Sequence, residues 1–381
     1  MEVKRKLSEF LKRETVLTVA ILLAIVSAVM IPPDREYAGY IDFRTLSILF
    51  CLMTVMAGLQ KLGVFRNIAK TLLRHTQNTI QLAEVLVLLC FFFSMIITND
   101  VSLITFVPFT FIVLQLTGEE AVKKLIVPVI VLQTIAANLG SMLTPIGNPQ
   151  NLYLYGKTQM SAGTFILLML PYSLVSLLLL MICVVIVAKR SGIEVRGAEV
   201  LLTEDEKLEQ KKYLLPAYLL LFVLCLLTVA HMIPYPVTLV TVALAVFLLD
   251  RGTLIKVDYS LLLTFVGFFI FIGNMGRMPA FCDFLQKIIG GREVMTAVIA
   301  SQVISNVPAA LLLSGFTENI TALIIGTNLG GLGTLIASMA SLISYKQVAR
   351  QIPGEKKKYF GWFTIANIVF LMILVLENCL L

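Results

Sequence analysis

The sequence predicts an all-α polytopic membrane protein with inverted structural repeats, about nine spans plus two re-entrant helical hairpins. Three observations carry that expectation. First, 58% of the 381 residues are apolar and only 14% are charged, with a mean hydropathy of +0.92. A soluble domain is about 45–50% apolar and about 25% charged, so this chain cannot cover a soluble surface. Second, the apolar residues fall into runs long enough to cross a ~30 Å hydrocarbon core. Third, short motifs recur in the same order in the two halves. Composition of this kind excludes an ordinary soluble enzyme, a disordered protein and a nucleic-acid binder, since no basic stretch is interleaved with aromatics.

The elements follow in chain order. Thr15 to Ile31 is the first span, ended by Pro32-Pro33. The residues after it offer no small-residue cleavage site, so it is a span and not a signal peptide. The second span runs from Thr45 to about Leu62. In 64–81, Arg66, Lys70 and Arg74 recur every four residues, the pattern of an amphipathic helix lying on a membrane surface. Complete spans follow near 125–150, 163–188, 213–233, 236–249, 259–276, 320–345 and 359–378. Two further stretches, 82–116 and 294–317, are broken in the middle, at Thr98-Asn99-Asp100 and at Ser305-Asn306-Val307-Pro308. Each flank is about 10–16 residues, short for a ~30 Å crossing at ~1.5 Å per residue. Both stretches therefore read as hairpins that enter and leave on one side; the other reading is a pair of kinked spans.

Charge supports this layout. The net charge is +7, from 30 Lys+Arg and 23 Asp+Glu. With the N-terminus cytoplasmic, 24 of the 30 basic residues fall on the inside; only Arg35, Arg44, Lys157, Arg277, Lys287 and Arg292 lie outside. That is the bias of the positive-inside rule; with the N-terminus cytoplasmic, nine spans put the C-terminus outside, and the expected location is the plasma (inner) membrane. The linker 189–212 carries both signs and reads as a solvated cytoplasmic connection. The six cysteines include no CxxC, and the two histidines make a His-based metal site unexpected.

The halves match locally. Ala57–Phe65 resembles Gly273–Phe281, pairing Lys61 with Arg277 and Phe65 with Phe281. Asn138–Gly147 resembles Asn328–Ala337, pairing Asn138 with Asn328, Gly140 with Gly330 and Thr144 with Thr334. The chain divides into a first inverted repeat, 1–188, with hairpin 82–116 and unwound helix 125–150. A cytoplasmic linker and connecting span follow, 189–235. The second inverted repeat is 236–381, with hairpin 294–317 and unwound helix 320–345. The single connecting span flips the second copy. Inverted repeats interrupted in matching places are a pattern of secondary transporters.

The interruptions locate the candidate site. Irregular backbone survives at membrane depth only when buried in protein or lining a wet cavity. Unwinding frees carbonyls for a cation and leaves helix N-termini that suit an anion. Thr98, Asn99, Ser102, Asn138, Ser141, Thr144 and Asn148 supply small polar side chains in one half. Ser305, Asn306, Asn328, Thr334 and Ser338 supply them in the other. Gly140, Gly147 and Gly330 break the helices. The bland alternative is that the glycines only allow close packing and the hydroxyls bond their own backbone. Asn99, Asn138, Asn306 and Asn328 are the positions for a bound Na⁺. Asp100 is the only acid at either break, its counterpart being Val307. A carboxylate there is a functional candidate by default, carrying a coupling proton or helping to bind a cation; a hairpin-tip cap is the structural alternative.

These motifs resemble the ion transporter superfamily that includes arsenical permease/NhaD-type proteins and divalent anion:sodium symporters. Thr98-Asn99-Asp100-Val101 is similar to the Asn-Asp hairpin of the arsenical permease branch. Asn138–Asn148 is similar to the superfamily's unwound-helix signature. Ser305-Asn306 resembles the start of the dicarboxylate symporters' Ser-Asn-Thr motif, from which Val307 departs. The resemblance implies a homodimer built on a scaffold domain, a transport domain that moves like an elevator, and a site between hairpin tips and unwound helices.

The expected function is secondary active transport of a small anion, an oxyanion or a di- or tricarboxylate, coupled to Na⁺ or H⁺. No cofactor is expected, and no GxxxxGK[ST] motif is present for ATP. The partners are the small anionic solute, the lipid bilayer and a second copy, with no nucleic acid. A Na⁺/H⁺ antiporter and, in another class, a passive anion channel are the alternatives; an enzyme is not expected.

Overall fold

A computed structural model of the chain describes residues 14–193 and 213–381. The basic N-terminal residues before Glu14 and residues 194–212 of the charged linker lie outside the described residues. Within them every regular element is helical. In the first half these are α1 (Thr15–Met30), α2 (Tyr37–Tyr40), α3 (Phe43–Lys61), α4 (Val64–Leu73), α5 (Thr79–Ile97), α6 (Asn99–Thr117), α7 (Glu119–Ser141), α8 (Pro149–Gly156) and α9 (Ala162–Ser191). The connecting helix is α10 (Leu214–Val229). The second half holds α11 (Tyr235–Leu249), α12 (Arg251–Leu254), α13 (Tyr259–Gly276), α14 (Pro279–Ile289), α15 (Glu293–Ile304), α16 (Asn306–Leu313), α17 (Ile320–Leu329), α18 (Met339–Gln351) and α19 (Lys356–Leu380). Among the described residues, seven helical segments are long and apolar enough to cross a membrane by length and composition. The protein is thus an all-α polytopic membrane protein.

The two broken stretches differ in a way the sequence pattern did not separate. The arms of the second, α15 and α16, are 12 and 8 residues, about 18 and 12 Å, too short to cross. The arms of the first, α5 and α6, are 19 residues each, about 28 Å. The arms of 82–116 are therefore long enough to cross, against the expectation of short flanks. Its helices extend outward on both flanks, α5 starting at Thr79 where the Asn78 side chain accepts from the Gln81 amide. The chain reverses at Thr98, and the Ser102 hydroxyl donates back across the turn to the Cys90 carbonyl at 3.3 Å.

The core sits around α7. Its run from Leu125 to Ser141 is buried without interruption, as expected of a helix apolar on every face. The packing partners of α7 include both arms of the first hairpin, α9, α18 and α19. Away from this core, α9 turns Leu167, Leu174 and Leu178 outward, an apolar surface suited to lipid.

Residues paired by the internal repeat make paired contacts. Helix α1 packs on α13, and its counterpart α11 packs on α3, so each half lends its first helix to the other. The ends are tied by crossed ion pairs. Lys61 Nζ lies 2.6 Å from Asp250 Oδ1, and Arg277 Nη1 lies 2.6 Å from Asp34 Oδ2. The alignment that matches Lys61 with Arg277 also matches Asp34 with Asp250. The hydrogen bond from Arg277 holds the Asp34 carboxyl below its ordinary pKa. At Asp250 burial pushes the other way, but Lys61, Thr253 and Tyr218 outweigh it and the net direction is also down.

Candidate functional site

The hairpin turns sit on Thr98 (φ 71°, ψ 153°) and Ser305 (φ 74°, ψ 153°). Left-handed φ is uncommon outside glycine, most of all for a β-branched residue. Such strain persists where the surroundings over-determine it, and both turns are tied in the same way. The Asn99 amide donates to the Gly147 carbonyl at 3.2 Å, and the Asn306 amide to the Ala337 carbonyl at 2.9 Å. Each hairpin tip is thus bonded to the irregular segment of its own half.

Those segments are 142–148, between α7 and α8, and 330–338, between α17 and α18. Each ends in a side-chain N-cap: Asn148 Oδ1 accepts from the Asn151 amide at 2.9 Å, and Ser338 Oγ from the Ala340 amide at 3.2 Å. Pro149 follows Asn148 at the first helical position, where its missing N–H is not needed. The breaks and turns together bring four helix N-termini into one region, those of α6, α8, α16 and α18, where orphan N–H groups and the helix dipoles favour negative charge.

At the centre the halves exchange hydrogen bonds. Asn138 Oδ1 accepts from Asn99 Nδ2 at 3.1 Å and from Ser338 Oγ at 3.0 Å. Asn148 Nδ2 donates to Asn328 Oδ1 at 3.1 Å and to Ser141 Oγ at 3.3 Å. The asparagine of each broken helix is therefore bonded to the N-cap of the other. Of the expected site residues, Asn99, Asn138, Ser141, Asn148, Asn328 and Ser338 form this connected cluster. Asn306 is buried, its Nδ2 against Gly331, where an added Cβ would lie at 3.0 Å.

Other expected residues are occupied differently. The Thr144 hydroxyl donates to the Met95 carbonyl, and that of Thr334 to the Gln302 carbonyl at 3.1 Å. These repeat-related bonds pin each break to its hairpin arm. Ser305 Oγ reaches the Ala337 carbonyl at 3.4 Å, and Ser102 bonds within its own hairpin. The glycines serve close approach. A Cβ on Gly140 would stand 2.0 Å from the Phe91 carbonyl oxygen, one on Gly147 2.0 Å from that of Ser141, and one on Gly330 2.6 Å from Ser301 Oγ.

Sequence reading missed Asn151 and Gln302. Asn328 Nδ2 donates to Asn151 Oδ1 at 2.6 Å, and Asn151 Nδ2 donates to the Thr144 carbonyl at 3.1 Å. Gln302 Nε2 donates to the carbonyls of Gly330 and Leu332 at 3.0 and 2.9 Å, while its Oε1 accepts from the Thr334 amide at 2.9 Å. Several carbonyls freed by unwinding are thus met by side chains. The signal available was the need itself: a buried break requires polar partners nearby.

Asp100 stands apart from these saturated groups. Its Oδ1 is buried and has no hydrogen-bond partner, so that oxygen caps no backbone N–H. Together with Thr98, Asn148, Gln60, Lys256 and Asp258, the residue lines a cavity of about 180 Å³ between the first hairpin tip, the first break, α3 and the entry to α13. Its counterpart Val307 lines a second space of about 270 Å³, also bordered by Asp258.

With this geometry in view, the family model described as "Citrate transporter" matches residues 7–321. The chain is 30% identical to an uncharacterized transporter of Methanocaldococcus jannaschii over 361 residues, 94% of each chain. It is 32% identical to the inner membrane protein YbiR of Escherichia coli over 335 residues, 86% of each. A silicon efflux transporter of Oryza sativa subsp. japonica is 31% identical over 157 residues, 40% of this chain and 31% of the relative.

Proposed function

This chain belongs to the citrate transporter family, within the ion transporter superfamily, and from that premise we propose that it is a secondary active transporter of a small anion, an oxyanion or a di- or tricarboxylate, coupled to Na⁺ or H⁺. The observation that carries the proposal is Asp100: a buried carboxylate oxygen without a partner, beside a converging set of helix N-termini. The N-termini suit an anion; the carboxylate repels one unless it is protonated or paired with a cation. Binding of anion and of coupling ion are then mutually favourable, which is the thermodynamic content of coupling. Asn99, Asn138, Asn148, Asn306, Asn328 and Ser338 orient the solute or a Na⁺, with the backbone at the two turns.

The proposed movement is alternating access of the elevator type. The hairpins and broken helices, α5 to α9 and α15 to α19, form the moving group. Helices α1, α3, α11 and α13, cross-packed between the halves, form a scaffold that also joins two copies into a homodimer. The Asp100 cavity lies on the boundary between the groups, where solute enters from the end bearing Lys61 and Lys256. The charge bias supports a cytoplasmic N-terminus, and an odd number of spans then puts the C-terminus outside; an inner-membrane location is part of the same proposal.

Proteoliposome flux tests this reading. Citrate, other carboxylates and inorganic oxyanions are offered in turn under imposed Na⁺ or pH gradients. Saturable uptake that collapses with the ion gradient supports it; flux that follows only the solute's own potential, without counterflow, identifies a channel. Sodium–proton exchange with no anion requirement identifies an antiporter, the second reading, which the unpartnered Asp100 oxygen also favours. A ligand of the folded state raises apparent stability by about 2.7 kcal/mol at one hundred times its Kd, so a thermal-shift screen with the same solutes supplies a binding readout independent of flux.

A further inference from the structure

We propose that the groove between α7, α9 and α19 holds one anionic phospholipid of the surrounding bilayer. The groove has a volume of about 540 Å³. Its floor is apolar, built from Val131, Leu132, Ile186 and Val187. Its mouth is basic, with Lys123, Lys124, Arg190 and Lys358 all exposed there. Acids neutralise part of this charge: Lys124 Nζ lies 3.3 Å from Glu120, and Lys358 Nζ 3.1 Å from Glu355. Lys358 Nζ also donates to the Lys123 carbonyl at 2.9 Å, which fixes the ammonium at the mouth. Arg190 has no ion-pair partner among the described residues.

The mouth lies where α7 begins, α9 ends and α19 begins, so the groove runs from the polar ends of three helices down into their apolar bodies. A basic mouth over an apolar floor complements a phosphate joined to an acyl chain, and basic pockets between membrane helices take anionic headgroups in this way. A zwitterionic headgroup brings no net charge to the mouth. A free phosphate ion leaves the apolar floor unfilled. Trp362, the chain's single tryptophan, is 43% exposed and lines the same groove, at the level where indole rings favour a membrane interface. None of the residues lining this groove lines the Asp100 cavity, so the site is separate from the one proposed for transport.

Trp362 supplies the measurement. The full chain is placed in phosphatidylcholine vesicles containing, at equal mole fraction, brominated phosphatidylglycerol or brominated phosphatidylcholine, and its tryptophan emission is recorded. Deeper quenching by the brominated phosphatidylglycerol is expected. In R190Q and in K358Q that preference should fall by about two- to fivefold at low salt, whereas K189Q, adjacent but outside the groove lining, should retain it. Thermal unfolding of each variant confirms that it is folded. Equal quenching by the two lipids overturns the proposal. So does quenching by neither, which means that a second copy or another part of the chain covers the groove. Loss of the preference in millimolar inorganic phosphate at constant ionic strength overturns it too, since the mouth would then select the ion and not the lipid.

Discussion

Asp100 is the residue on which the proposed coupling turns. Lys256 and Asp258 line the same cavity, and the Asn99 side chain spends its oxygen on the Asp100 amide at 2.9 Å, leaving the carboxylate to titrate or hold a cation. Asp100→Asn keeps the shape and removes the charge. The expected outcome is a folded protein whose uptake or exchange has lost its pH and Na⁺ dependence; a variant with unchanged dependence on both ions rules out the coupling role. Asp34 carries a different prediction. Its pKa is depressed in the folded protein by Arg277, so the stabilisation is complete above its unfolded value near 3.8 and disappears as pH falls through the lower folded value. Arg277→Gln should therefore lower thermal stability slightly at pH 7 and leave it unchanged at about pH 2, so that the acid limb flattens. An acid limb as steep as that of the parent protein would show that the pair contributes nothing. Both side chains are more than a third exposed, so the effect is small.

At the scale of elements, the broken helices depend on how closely they approach the hairpin arms. Gly140 lets α7 sit on the Phe91 carbonyl of α5, where an added Cβ would stand 2.0 Å from the oxygen, closer than real contacts allow. Gly140→Ala should destabilise by about 1–3 kcal/mol, the range for overpacking. Gly361, in α19, faces open space, and Gly361→Ala should be neutral or stabilise by about 0.4–1 kcal/mol. Detergent-solubilised thermal unfolding compares the two; equal melting temperatures would mean that α7 and α5 can separate without loss. The two helix breaks were legible as Gly- and Pro-interrupted apolar runs. Their chemistry was less so. Thr144 and Thr334 look like ligands in one dimension, but each hydroxyl is turned to a hairpin carbonyl. Gln302 looks like an ordinary arm residue, since only the folded chain brings it against 330–334. The lengths of α5 and α6 escaped as well, because helix ends depend on caps such as Asn78 that lie outside the apolar run.

For the whole molecule, the crossed pairs Lys61–Asp250 and Arg277–Asp34, the crossed packing of α1 and α11, and the exchanged bonds among Asn138, Ser338, Asn148 and Asn328 all join one half to the other. In the proposed site, neither half is complete alone. If the halves alternate in access, single cysteines at 98 and at 305 in a background with all six native cysteines replaced, Cys183, Cys282 and Cys379 being the ones not buried, should react from opposite sides. Their rates should change in opposite directions when Na⁺ or solute is added. Two thiols reached only from the same face in every condition would defeat the alternating model.

Composition and apolar run length are one-dimensional quantities, and membrane insertion depends on little else, so the all-α polytopic membrane class is determined by the sequence alone. Hydrogen-bond partners are a three-dimensional matter. Whether an asparagine faces a ligand, a neighbouring asparagine or a bare carbonyl depends on which helix ends meet it, and a buried amide must take whichever partner packing provides. Only the folded chain could therefore distinguish Asn138, tied to both halves, from Asp100, left with an oxygen that nothing in the described protein satisfies.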